Sequence, residues 1–162
     1  MNLHIIATGG TFEKHYDAIT GELVFTSSHI PAMMERARVS QSYTFQELTM
    51  LDSLDMQDAD RENILKSCRE IPADRIVIVH GTDTMQDTAA VLGKAALEKT
   101  IVLTGAMIPY EFDRSDAFFN LGFAVSAVQL LPTGVYILMN GQIFKWNKVT
   151  KNRPIGVFEA VS

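Results

Sequence analysis

The run Arg75-Ile76-Val77-Ile78-Val79 constrains the fold more than any other stretch of this 162-residue chain. Its four consecutive β-branched residues leave no polar side of a strand for water. Such a strand has to be covered on both faces, as in a parallel sheet flanked by helices. Leu3 to Ala7, Thr100 to Thr104 and Val135 to Met139 repeat the apolar pattern, and Tyr43 to Leu51 supplies a further strand. Helical patterns lie between the strands. Ile30 to Arg38 starts with Pro31 in its first turn, and Ala59 to Ile71 follows a cap at Asp58 and stops at Pro72. Met85 to Leu97 follows Thr84 and Asp87, which have capping-box spacing. In Ser115 to Leu131, Phe118, Phe119, Leu121, Val125 and Val128 form the expected core face.

Strand and helix alternate with short connections. This predicts a three-layer α/β fold, with a mostly parallel sheet carrying helices on both faces, as one domain over 1–162. The segment after the first strand is polar and contains Tyr16. A small hairpin over Ile19 to Phe25, turning at Thr20-Gly21, would fold it into a lid. The tail beyond Asn140 carries Lys145, Lys148, Lys151 and Arg153 and has no predicted place in the fold.

Several function classes are excluded or disfavoured. No apolar run reaches the length of a membrane span, and the N-terminus has neither a basic n-region nor a long apolar h-region. Cys68 is the only cysteine, so no internal disulfide is expected, and no Cys/His cluster has zinc spacing. A cytoplasmic setting fits both. The net charge is −5 and no basic patch is interleaved with aromatics, so no nucleic-acid partner is expected. Phosphate-loop and dinucleotide fingerprints are absent after the first strand, and neither a cofactor nor a metal is expected. His4, His15 and His29 are isolated in the sequence.

In an open α/β sheet, ligands bind at the carboxyl ends of the strands. Those ends here carry Thr8-Gly9-Gly10-Thr11, then Asp52-Ser53-Leu54-Asp55-Met56, then His80-Gly81-Thr82-Asp83-Thr84, and Gly105-Ala106. Three of these loops supply hydroxyls, Thr11, Ser53 and Thr82, and one supplies the carboxylate Asp83. A hydroxyl ionises far above neutral pH and needs a proton relay to act as a nucleophile. A Thr–Lys–Asp arrangement provides one. Backbone N–H groups of the glycine loop would hold a developing oxyanion, worth about 3–4 kcal/mol per donor. This suits acyl transfer through a threonyl ester. Thr8 and His80 read as structural, and Cys68 as a core residue.

The segments Ala7-Thr8-Gly9-Gly10-Thr11 and His80-Gly81-Thr82-Asp83-Thr84-Met85 resemble the two signature motifs of the bacterial-type asparaginase/glutaminase family. They lie about seventy residues apart, each after a strand. Asp52 to Met56, Thr104 to Pro109, Ser115-Asp116 and Phe119-Asn120-Leu121 extend the resemblance. It implies a flavodoxin-like fold and hydrolysis of L-asparagine to L-aspartate and ammonia. By position it implies Thr11 as nucleophile and Tyr16 as the lid tyrosine that activates it. Ser53 would bind the substrate's α-carboxylate. Thr82 and Asp83 would be the second-triad threonine and the aspartate that holds the α-amino group. Gly10 and Ala106 join the binding set.

Three departures follow. The family usually has a second, C-terminal domain, and the resemblance here is to the short, single-domain branch of the family or to an isolated N-terminal domain. Counting from Phe119-Asn120-Leu121, the resemblance places the family lysine at Leu131, which cannot move a proton, so a tail lysine is expected instead. Lys145 is favoured and Lys148 is the alternative. Leu54 stands where the family often has a substrate-binding glutamine. A homo-oligomer is expected, at least a dimer. Two other readings stay open: a non-catalytic module that binds a small amino acid, and an amidotransferase-type subunit that supplies ammonia.

Overall fold

A computed structural model describes residues 2–162. Among the described residues, ten strands and four α-helices follow one another. In order they are β1 (Leu3–Gly9), β2 (His15–Asp17), β3 (Glu22–Val24), α1 (Ile30–Arg36), β4 (Tyr43–Leu51), α2 (Asp58–Glu70), β5 (Arg75–Val79) and α3 (Met85–Lys94). Then come β6 (Thr100–Thr104), α4 (Ala117–Ala127), β7 (Gly134–Met139), β8 (Gln142–Lys145), β9 (Val149–Asn152) and β10 (Val157–Ala160). The central sheet has the order β4-β1-β5-β6-β7-β8. Every neighbouring pair is parallel except β7 with β8. Counted along this sheet the order is the flavodoxin-like one, which reverses direction beside β1. The loops after β1 and β5 therefore leave the sheet in a crevice, the usual place for a ligand.

The β-branched runs explain the two cores. On one face Ile5, Ala7, Val77, Val79, Val102 and Leu138 pack with α1 and α4. On the other face Ile6, Ile76, Ile78, Ile101, Leu103 and Ile137 pack with α2 and α3. Alternate residues of one strand thus serve opposite cores, which a continuous apolar run allows and an alternating one does not.

Some expectations need correcting. The α2 helix is capped one residue earlier than Asp58: Gln57 is the N-cap, in a reciprocal box with Asp60. Thr84 does not cap α3 with its side chain; its hydroxyl donates to the Ser53 carbonyl at 2.8 Å, tying two loops together. Phe118 and Phe119 lie on the outer side of α4, with Phe119 61 % exposed. The core contacts come from Leu121, Ala124, Val125 and Val128. The lid hairpin is larger than expected, pairing His15–Asp17 with Glu22–Val24.

Candidate active site

Four loops converge at the carboxyl edge of the sheet, and glycines let them touch. Gly10 has φ +77°, and a Cβ on it would lie 2.4 Å from the Gly81 Cα. A Cβ on Gly81 would lie 2.5 Å from the Cβ and Oγ of Ser53. One on Gly105 would lie 2.4 Å from the His80 carbonyl and 3.3 Å from the Thr82 methyl. The loops that carry Thr11, Ser53, Thr82 and Ala106 are therefore packed backbone to backbone. We expect Gly10→Ala to lower stability by about 1–3 kcal/mol, because it both strains the backbone and forces the β1 loop off Gly81. A urea titration with an unchanged midpoint would contradict this.

Thr11 opens a single 3-10 turn, Thr11–Glu13, directly after the glycines, and is half-buried. Thr8 is fully buried and its hydroxyl donates to the Val79 carbonyl at 2.8 Å, so it is committed to the strand. The Gly10 N–H donates to the Leu51 carbonyl at 2.8 Å. It is therefore spent, and Gly10 contributes close approach instead of an oxyanion donor. Ser53 and Ala106 are buried at 1 % exposure each.

The lysine at the site is Lys151. Its Nζ donates to Thr82 Oγ1 at 2.8 Å and to Asp83 Oδ1 at 2.8 Å. The Lys151 side chain is only 7 % exposed, against 36 % for Asp83. This corrects the expectation of Lys145 or Lys148. The antiparallel turn into β8 brings the chain back toward the amino ends of the parallel strands, where Lys145 pairs with Tyr136. Lys145 and Lys148 are both exposed. The β9–β10 hairpin then climbs back to the site. It is seated by Val149 and Phe158 in the second core and by the Gln86 side chain, which accepts from the Lys151 N–H at 3.2 Å. Arg153 Nη2 donates to the Asp83 carbonyl at 3.1 Å.

The loop after β6 is fixed by residues that carry no chemistry of their own. Asp116 accepts from the N–H groups of Met107 and Ile108 at 3.0 and 3.1 Å. The fully buried Asn120 donates to the Gly105 carbonyl at 2.9 Å and accepts from the Asn140 N–H at 3.0 Å. Sequence reading found this Asp–Asn pair but not its task.

Tyr16 is on β2, 54 % exposed, with its ring edge-on to Phe112 at 6.5 Å between centroids. Its backbone N–H donates to Glu111 Oε1. The structure thus places Tyr16 on the lid, against the loop before α4 and in no hydrogen bond to Thr11. On the other flank Lys14 and Asp52 form an ion pair at 2.7 Å, which lowers the Asp52 pKa and joins the loops after β1 and β4.

His80 is fully buried beneath the site. The Gly81 carbonyl, 2.7 Å from Nδ1, can only accept, so Nδ1 carries the proton and Nε2 accepts from the Thr88 hydroxyl at 2.7 Å. Burial pushes its pKa down from 6.5 to about 4. Above pH 6.5 the ring is neutral folded or unfolded, and this contribution to stability is complete. As pH falls from 6.5 toward 4, the unfolded chain takes up the proton first and stability drops, by about 3 kcal/mol in all. The urea midpoint of the wild type should fall more steeply over that window than that of His80→Gln; equal slopes would contradict it. Cys68 is buried with its thiol pushed up to about 12, which leaves it unreactive.

Among known proteins, a family model described as "Asparaginase, N-terminal" matches residues 2–158. A glutamyl-tRNA(Gln) amidotransferase component from Methanococcus maripaludis is 35% identical over 150 residues, covering 87% of this chain and 35% of that protein. The L-asparaginase 1 of Escherichia coli K12 is 30% identical over 166 residues, covering 93% of this chain and 47% of the other. The thermostable L-asparaginase from Thermococcus kodakarensis superposes with a TM-score of 0.87 at 27% identity, over 99% of this chain and 51% of that structure. The chain thus spans about half the length of these asparaginases and about a third of the amidotransferase component.

Proposed function

From the premise that this chain belongs to the asparaginase family, we propose that its four-loop site hydrolyses the side-chain amide of L-asparagine through an ester on Thr11. The observation that carries this reading is Lys151, whose Nζ joins Thr82 to Asp83 on the loop packed against the Gly10-Thr11 turn. While Lys151 donates to the Thr82 oxygen, the Thr82 hydroxyl proton is free to point away, toward the substrate. As the neutral amine, Lys151 takes the Thr82 proton while Thr82 takes one from Thr11; the resulting ammonium, donating to the Thr82 oxygen as it does here, then lets Thr82 hand a proton to the departing nitrogen. In the first half-reaction the Thr11 oxygen bonds to the amide carbon and its proton passes to the departing nitrogen, which leaves as ammonia. In the second, water bonds to the same carbon, its proton returns to the Thr11 oxygen, and L-aspartate leaves. The Ser53 hydroxyl and the Asp83 carboxylate are suited to the substrate's α-carboxylate and α-amino groups respectively. Tyr16 would act when the lid moves over Thr11. A homodimer fits this reading.

The amidotransferase relatives favour a second reading, in which the same amide cleavage supplies ammonia to a partner chain. Both readings require turnover. Ammonia release by the whole chain, measured with L-asparagine and with L-glutamine, is expected with L-asparagine as the better substrate. Calorimetric binding of L-asparagine with no ammonia release would replace both with the binding-module reading.

A further inference from the structure

His15, His29 and Glu111 are far apart in the sequence, yet one ligand atom of each lies within 4.8 Å of the other two. His15 opens β2, His29 is the N-cap residue of α1, and Glu111 lies between β6 and α4. The hydrogen bonds fix how the rings face. His15 Nε2 is 2.9 Å from the Ser27 carbonyl, which can only accept, so this nitrogen carries a proton. In the neutral ring the Nδ1 lone pair then faces Glu111 Oε2 at 3.3 Å. A lone pair against a carboxylate is repulsive unless a positive charge lies between them. His29 Nε2 is buried with no hydrogen-bond partner, and the two rings stack with centroids 3.9 Å apart. A proton on His15 relieves the first conflict but leaves His29 Nε2 without a partner. A cation shared by all three groups relieves both.

We propose that His15, His29 and Glu111 bind one Zn²⁺ ion, with water as the fourth ligand. Two imidazoles and a carboxylate are a common zinc donor set, and zinc takes them tetrahedrally. Outer hydrogen bonds suit the role: the Ser27 carbonyl holds the far nitrogen of His15, and the Tyr16 N–H holds the other oxygen of Glu111. The side chains of His15 and Glu111 are 24% and 33% exposed, which leaves a route of entry. An imidazole binds an ion in the plane of its ring, so the two rings, now stacked at 30° to each other, must turn out of that stack when both nitrogens bind one ion. The ion would staple the hairpin that bears Tyr16 to α1 and to the loop before α4. It is thus a lid site, separate from Thr11, Thr82 and Lys151.

Zn²⁺ titrated calorimetrically into the whole chain should bind with 1:1 stoichiometry. Co²⁺ in its place should give the intense visible absorption of a tetrahedral complex. His29→Ala and Glu111→Gln should each weaken binding about tenfold or more, whereas Cys68→Ser should leave it unchanged. In the wild type alone, Zn²⁺ should protect His15 and His29 from carbethoxylation in peptide mass spectra, a readout that no misfolded variant can confound. No 1:1 binding, affinity unchanged in both variants, or histidines modified equally with and without Zn²⁺ would overturn the proposal. The last result would leave a protonated His15 paired with Glu111 as the account of this cluster.

Discussion

Thr11→Ala is expected to cut ammonia release from L-asparagine by about 10²-fold or more while leaving the unfolding midpoint nearly unchanged. The reason is local. Thr11 is half-buried at the start of a short turn, so losing its hydroxyl and methyl costs little packing. The neighbouring threonines do not stand ready to replace it. Thr8 is turned into the sheet and bonded to Val79, and Thr82 is already bonded to Lys151. Steady-state ammonia assays with urea titrations of both proteins separate loss of chemistry from loss of fold. Activity that survives the substitution would remove Thr11 from the reaction.

Lys151→Met is expected to cost about 10²–10⁴-fold in turnover, the range of a lost proton-transfer group. Methionine keeps much of the aliphatic stem, so the β9–β10 hairpin should stay seated on Val149 and Phe158. Asp83 is 36 % exposed, and losing its cation leaves it able to reach water, so the effect on stability should be small. Lys145→Met is the paired control. Lys145 is exposed on β8 beside Tyr136, and its replacement should leave turnover within about twofold. The reverse pattern, with Lys145 essential and Lys151 dispensable, would refute the relay described above.

The contrast between these lysines shows what was legible in the sequence. Ile76 to Val79 needs cover on both faces wherever it lies, so the parallel sheet and its helices could be read directly. Each site loop follows a strand, and the carboxyl edge of a parallel sheet gathers such loops without any knowledge of contacts. Thr11, Ser53 and Thr82 could therefore be placed together. Lys151 could not, because its position depends on an antiparallel excursion. The chain turns back at Asn140-Gly141, runs down β8, and only β9 returns to the site. The signal was present in Val149-Thr150-Lys151-Asn152 and Val157-Phe158, which flank the turn at Pro154 to Gly156, but each strand is only four residues long. The Phe118-Phe119 error has a similar origin: helical spacing marks a face but does not say whether anything covers it. His15, His29 and Glu111 meet only through the lid, and no spacing in the sequence brings them together.

The most direct test of the Thr11–Lys151 account is peptide mass spectrometry of the chain quenched in acid during turnover of L-asparagine. The account predicts an aspartyl ester on the peptide that contains Thr11, absent from Thr11→Ala. An ester on the peptide containing Thr82 or Ser53 instead, or the same adduct in Thr11→Ala, would contradict it.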